Sequence, residues 1–380
     1  ALGNPAQSSQ EPILAVGRIF CDALAQDAKL NPKSLVLETS RALGSGQRVP
    51  LDMGPLATRG TGYAVFPGQF VGVEGSNPSG KQFCVTRLID PPLAPRTNIS
   101  VQNLMEMYAP VAADGSPLPN AAQPMKLLVA MGPYTLDRDL LYEPLEALVT
   151  EVVAQHQPDI LLLQGPFVDA KHPLVAQGQV HVDLDTLFRE QIGARLTRLL
   201  AAKPGMKLVL VPSVRDACTE WCVFPQPPLA SVLKRSRAAQ RRAELGIPPE
   251  AALFPNPVQF TINDALIAVS NNDILMHLSA EELAVQPTTA PGARLPRLFR
   301  HVLAQRAFYP LFPPASRTDA NLDLARLEAV TLQATPDLLV LGSQLVPVAT
   351  EVAGCLCLNP GSVAKPAAGG TYQLVTVYPP

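Results

Sequence analysis

Residues Asp159 to His172, DILLLQGPFVDAKH, decide the fold: an apolar strand runs straight into a Gly-Pro turn and a small polar cluster. Ligands of open α/β sheets bind outside the carboxyl ends of the strands, so Gln164, Gly165, Asp169, Lys171 and His172 stand where a site is expected. Three further segments end the same way: KLLVAMGPYT at 126–135, KLVLVPSVRD at 207–216 and DLLVLGSQLVP at 337–347. The functional question is what four such strand ends do when brought together.

The segments between them carry helical periodicity. Leu141, Leu145, Leu148, Val149 and Val152 fall at i, i+4, i+7, i+8 and i+11, and Leu184, Leu187, Phe188, Ile192, Leu196 and Leu199 repeat the pattern after the next strand. Strand, helix, strand, helix, strand predicts an α/β layered domain with both sheet faces covered. Ser231 to Leu245, SVLKRSRAAQRRAEL, is basic and helical in composition and reads as a solvated helix face. The chain then turns β-rich, with strands expected at 259–262, 265–270, 338–341, 355–358 and 372–378 and one amphipathic helix near 296–308. Residues 125–380 are therefore expected to form an α/β two-sheet sandwich flanked by helices.

The front of the chain reads differently. After a polar lead at 1–10, five short strands and no helix of length follow over 11–95, and FVGVEG and FCVTRLI flank the reversal Ser76-Asn77-Pro78-Ser79-Gly80. A small all-β barrel of the OB type is the first choice. Its aromatics, Phe20, Tyr63, Phe66, Phe70 and Phe83, are few and the basic residues near them are scattered, so core and interface packing is favoured over a platform for stacked bases. A Pro- and Ala-rich connector spans 96–124.

Composition sets the limits. A chain of 380 residues calls for two domains. The net charge of -2, from 30 basic and 32 acidic residues, provides no long-range field for nucleic acid or an anionic membrane. The 40 prolines are spread between apolar strands and read as rigid turns. Cys21, Cys84, Cys218, Cys222, Cys355 and Cys357 form no CxxC pair, so buried free thiols in a reducing compartment are expected rather than a zinc site. No apolar run long enough for a membrane span occurs and the first residues are small and polar, which predicts a soluble intracellular chain without a signal peptide. The chain begins without Met, so a longer natural N-terminus is expected.

With an OB-like barrel in front, the strand layout resembles the calcineurin-type phosphoesterase fold. Active members carry D-x-H, G-D-x-x-D, G-N-H-D/E and G-H-x-H at the strand ends, because a metal pair must clamp the attacking and leaving oxygens of a phosphate. Here D-x-H falls on Gly132, Pro133 and Tyr134, and G-D-x-x-D falls on Gly165 to Asp169, with Pro166 at the bridging carboxylate. G-N-H-D falls on Ser213, Val214, Arg215 and Asp216, and G-H-x-H on Gly342, Ser343, Gln344 and Leu345. Proline, valine and leucine have no lone pair to donate, and an arginine repels a divalent cation. The resemblance implies a vestigial pocket with no catalytic residues, no metal and no cofactor. A displaced ligand set would have to come from His156, His172, His181, His277 or His301.

A barrel followed by an inactivated phosphoesterase domain is similar to the B subunits of the replicative DNA polymerases. FPGQFVGVEGSNPSG, GPYTLDRDLLYEPL, QGPFVDAKH, RHVLAQRAFYPLFPP and LGSQLVPVATEVAGCLCLNPGS resemble the DNA polymerase alpha B subunit family. That likeness implies a nuclear, non-catalytic accessory subunit of polymerase alpha-primase in DNA replication. Its implied partners are the zinc-bearing C-terminal domain of the catalytic subunit and the primase subunits, with weak or indirect DNA contact and no membrane. It also implies a helical domain and flexible linker in front of the barrel. An active metallophosphoesterase with displaced ligands and an OB-type single-stranded DNA binder are the alternatives.

Overall fold

The structure, a computed structural model, describes residues 2–22, 29–60, 62–97, 99–108, 123–232, 237–285, 294–315 and 320–379. In chain order the strands are β1 (Ser9–Cys21), β2 (Leu35–Thr39), β3 (Arg48–Asp52), β4 (Tyr63–Val65), β5 (Phe70–Asn77), β6 (Phe83–Ile89), β7 (Met125–Met131), β8 (Ile160–Gln164) and β9 (Lys207–Val211). They continue with β10 (Ala252–Leu253), β11 (Val258–Ile262), β12 (Ala265–Ser270), β13 (Leu283–Val285), β14 (Leu338–Leu341), β15 (Val348–Val352), β16 (Cys355–Asn359) and β17 (Gln373–Val377). The chain packs as two units.

The first unit is built on a closed barrel of order β1-β2-β3-β6-β5. Burial alternates strictly along β5, so Val71 and Val73 face inward with Ala15, Ile19, Leu37, Val49, Leu51, Phe83 and Val85. The β5–β6 register shifts between Glu74 and Gly75, where a Cβ on Gly75 would sit 2.0 Å from the Cys84 carbonyl oxygen; only glycine fits this bulge. The polar lead is shorter than expected. β1 begins at Ser9, Leu2 bridges to Leu14, and Asn77 Nδ2 donates to the Pro5 carbonyl at 2.8 Å.

This unit takes in 274–318 and 330–335 as well as 1–95, so part of the stretch assigned from sequence to the second domain packs with the barrel. The reason is hydrogen bonding and ring packing: His301 meets Phe66 edge-on with centroids 4.9 Å apart, and the Phe312 N–H donates to the Pro67 carbonyl at 3.0 Å. β13 pairs antiparallel with β4, and the Gln305 side chain accepts from the Phe70 N–H at 2.8 Å and donates to its carbonyl at 2.9 Å. Glu282, nearly buried, accepts from both Arg297 (2.7 and 2.8 Å) and His301 (2.9 Å). Burial alone would raise its pKa, yet those partners hold it down to about 2. The helix expected near 296–308 is Arg294–Ala304, with Leu298, Phe299, Val302 and Leu303 on its buried face.

The second unit is a sandwich of two five-stranded sheets, ordered β10-β9-β8-β7-β17 and β11-β12-β14-β16-β15. Alternate residues of the parallel strands part to opposite faces. Leu127, Val129, Leu162, Val209 and Val211 meet Ile267, Val269, Val340 and Leu358 of the other sheet. Leu128, Ala130, Leu161, Leu163, Leu208 and Leu210 instead pack under helical segments at 143–156 and 184–202. Each helical segment contains one π-helical turn, at Leu148–Val152 and Arg189–Gly193. Leu141 lies ahead of its helix and is exposed, which removes it from the expected apolar face. β17 joins the first sheet, antiparallel to β7, through Gln373↔Val129 and Val375↔Leu127.

Of the connector, 101–108 is helical, and residues 98 and 109–122 lie outside the described residues. Within the basic stretch 231–245, residues 233–236 also lie outside them. The rest is less solvated than expected: Arg241 pairs with Asp185 and donates to the Cys218 carbonyl at 2.7 Å, and Arg242 donates to the carbonyls of Pro248 and Ala251. Cys218, Cys355 and Cys357 are buried, Cys21 and Cys84 half-buried, and Cys222 is exposed, against the expectation that all six are buried. Among the described residues no helix is long and apolar enough to cross a membrane.

Candidate functional site at the strand ends

The carboxyl ends of β7, β8, β9 and β14 carry the residues singled out in the sequence, and adjacency in the sheets brings them together. β7 is followed by Gly132, whose N–H donates to the Gln164 carbonyl at 2.8 Å; a Cβ there would lie 2.0 Å from the Pro166 carbonyl oxygen. Gly132-Pro133 and Gly165-Pro166 are both cis, and the Pro133 carbonyl accepts from the Ala364 N–H at 3.0 Å. Tyr134 is fully buried, stacked on Phe167 with ring centroids 5.5 Å apart, and its hydroxyl donates to the Gln164 carbonyl at 2.8 Å. Burial, with the neighbouring Asp216 charge, keeps this phenol protonated well above its ordinary range.

Both carboxylates of the pocket have partners. Arg215 forks onto Asp169, Nε to Oδ1 at 3.1 Å and Nη2 to Oδ2, and Asp169 Oδ1 also accepts from the Lys171 N–H at 2.9 Å. Of the two acids open to Arg215, it takes Asp169, because Asp216 is committed to backbone. Asp216 Oδ1 accepts from the N–H groups of Phe167 and of Val168 (3.3 Å), and its Oδ2 accepts from the Ser213 N–H at 2.7 Å. Complete burial pushes Asp216 up to about 7 against the pull of these donors, with a smaller upward push from Asp169. Val214 is half-buried beside them.

At the β14 end, the Ser343 N–H donates to Asn359 Oδ1 at 3.1 Å, and the Ser343 hydroxyl oxygen accepts from the Leu345 N–H at 3.1 Å. Gln344 is exposed; its N–H donates to Asp273 Oδ2 at 2.9 Å. His172, the strand-end candidate for a displaced ligand, has both ring nitrogens in use, Nε2 on the Leu136 carbonyl (2.9 Å) and Nδ1 on the Leu174 N–H (3.3 Å). His277 and His301 belong to the first unit. Among the described residues, no group of three or more His, Cys, Asp or Glu is placed to hold a metal ion. The donor set does not fit the metal pair of the phosphoesterase fold.

Apart from Gln164, the buried amides at the same level went unread in the sequence. Asn271 Nδ2 donates to the carbonyls of Gly165 (2.7 Å) and Pro212 (3.3 Å), tying the β12 end to the β8 and β9 ends, and the Asn271 N–H donates to Asn256 Oδ1 at 2.9 Å. Gln226 Nε2 donates to the carbonyls of Ser213 and Trp221, and Asn359 Nδ2 to those of Leu345 and Val346. Gln164 is completely buried with neither amide atom hydrogen-bonded to protein. The legible signal was Ser270-Asn271-Asn272-Asp273 after the apolar run ALIAV, a fifth strand end of the same kind.

In the first unit, Phe66, Phe83 and Tyr63 are buried, whereas Phe20 is half-buried and Phe70 exposed. The Arg18 guanidinium lies 5.4 Å from the Phe20 ring, 5.3 Å from Phe70 and 4.3 Å from Phe312. Burial holds Arg18 below its usual range, the Glu38 charge opposing.

Comparison with known proteins follows the same lines. A family model that describes the B subunit of DNA polymerase alpha/epsilon matches residues 127–350, and one that describes the OB domain of the DNA polymerase alpha B subunit matches residues 1–91. The DNA polymerase alpha B subunit of Schizosaccharomyces pombe is 36% identical over 386 residues, covering 100% of this chain and 62% of the relative. The Mus musculus protein of the same name is 31% identical over 365 residues, covering 96% and 54%. The chain thus spans 54% to 62% of the length of these relatives. Among solved structures, an archaeal phosphodiesterase is similar at 11% identity and a TM-score of 0.29, over 63% of this chain and 85% of that one. The order of strands in the two sheets defines the fold. By the family match over the larger part of its length, the chain belongs to the family of DNA polymerase alpha/epsilon B subunits.

Proposed function

We propose that this chain is a non-catalytic accessory subunit of a DNA polymerase alpha-primase assembly, working in the nucleus at primer synthesis. It binds the zinc-bearing C-terminal domain of the catalytic subunit, reaches primase through the complex, and touches DNA weakly or indirectly. The observation that carries this reading is the chemistry of the four strand ends. Gly132, Tyr134, Pro166, Val214, Arg215, Ser343 and Leu345 stand where metal ligands are needed, Arg215 is forked onto Asp169, and three backbone N–H groups donate to Asp216. A pocket whose two carboxylates are already paired, with a guanidinium inside it, is suited to rigid support and unsuited to a divalent cation. Elemental analysis of the purified chain, with bis(p-nitrophenyl) phosphate as substrate and added Mn²⁺, tests this. Neither stoichiometric metal nor turnover is expected. Bound Mn, Fe or Zn together with phosphodiester hydrolysis would overturn the reading.

A further inference from the structure

We draw no further inference here: the strongest candidate, the surface patch on the outer face of the barrel where the exposed Phe70 ring lies 5.3 Å from the Arg18 guanidinium, carries nothing, because nothing in the structure shows what covers it.

Discussion

Arg215 and Asp169 show how one substitution rewrites a pocket. A planar five-donor group matches a carboxylate fork, and Asp169 is only 6% exposed at its side chain. Removing the arginine leaves that acid buried and unpaired, so Arg215→Ala is expected to destabilise the chain by roughly 3 kcal/mol, and Asp169→Asn by less, since the amide keeps one acceptor. Denaturant midpoints of the two variants check this. Asp216 predicts a pH dependence. Its folded value of about 7 lies above the unfolded value, so the folded state binds more protons between about pH 4 and 7, and stability falls as pH rises through that window, by up to a few kcal/mol. Asp216→Asn cannot titrate and should flatten that slope, while lowering stability overall because its NH₂ would face an N–H donor. Unfolding curves at a series of pH values read both effects. At this scale the Arg215 position was legible because it sat inside a recognisable strand-end string. Asn271 was not, because its partner Gly165 is 106 residues away and an asparagine after a strand does not announce a bond between sheets.

Strands were the most readable elements. Burial on both faces of β7, β8, β9 and β14 demands near-continuous aliphatic runs, and such runs are unmistakable in KLLVAM, ILLLQ, KLVLV and LLVL. Partnership was harder to read. β17 was expected among the later β-rich strands, yet it pairs with β7, and β13 is three residues long and exists because β4 offers an edge. The glycines at the strand ends are where element geometry is tightest. A methyl at Gly132 would meet the Pro166 carbonyl at 2.0 Å, and backbone cannot step aside as a flexible side chain can. Gly132→Ala is expected to lose at least about 2 kcal/mol, whereas Gly178→Ala, with nothing within 4 Å but a left-handed φ, should lose about 1 kcal/mol. Thermal or denaturant unfolding of the two variants distinguishes close approach from backbone conformation alone.

For the molecule as a whole, packing units do not follow the linear order of the chain. The barrel's unit draws on 274–318 and 330–335, a return that composition could not announce because it rests on a three-residue strand and on single side chains such as Gln305, Arg306 and Phe312. A fragment of 1–95 alone leaves β4 without β13 and the Phe70 backbone without Gln305. It is therefore expected to show lower chemical-shift dispersion and a lower unfolding midpoint than a chimera that restores 274–335 through a linker; equal midpoints would count against this division. The proposed role of the chain as a subunit rather than an enzyme is tested by mass. The chain is mixed with a C-terminal segment of a polymerase alpha catalytic subunit, and the eluted species is weighed by size-exclusion chromatography with multi-angle light scattering. The account predicts a single peak at the summed mass of one copy of each. Two separate peaks at the individual masses would contradict it.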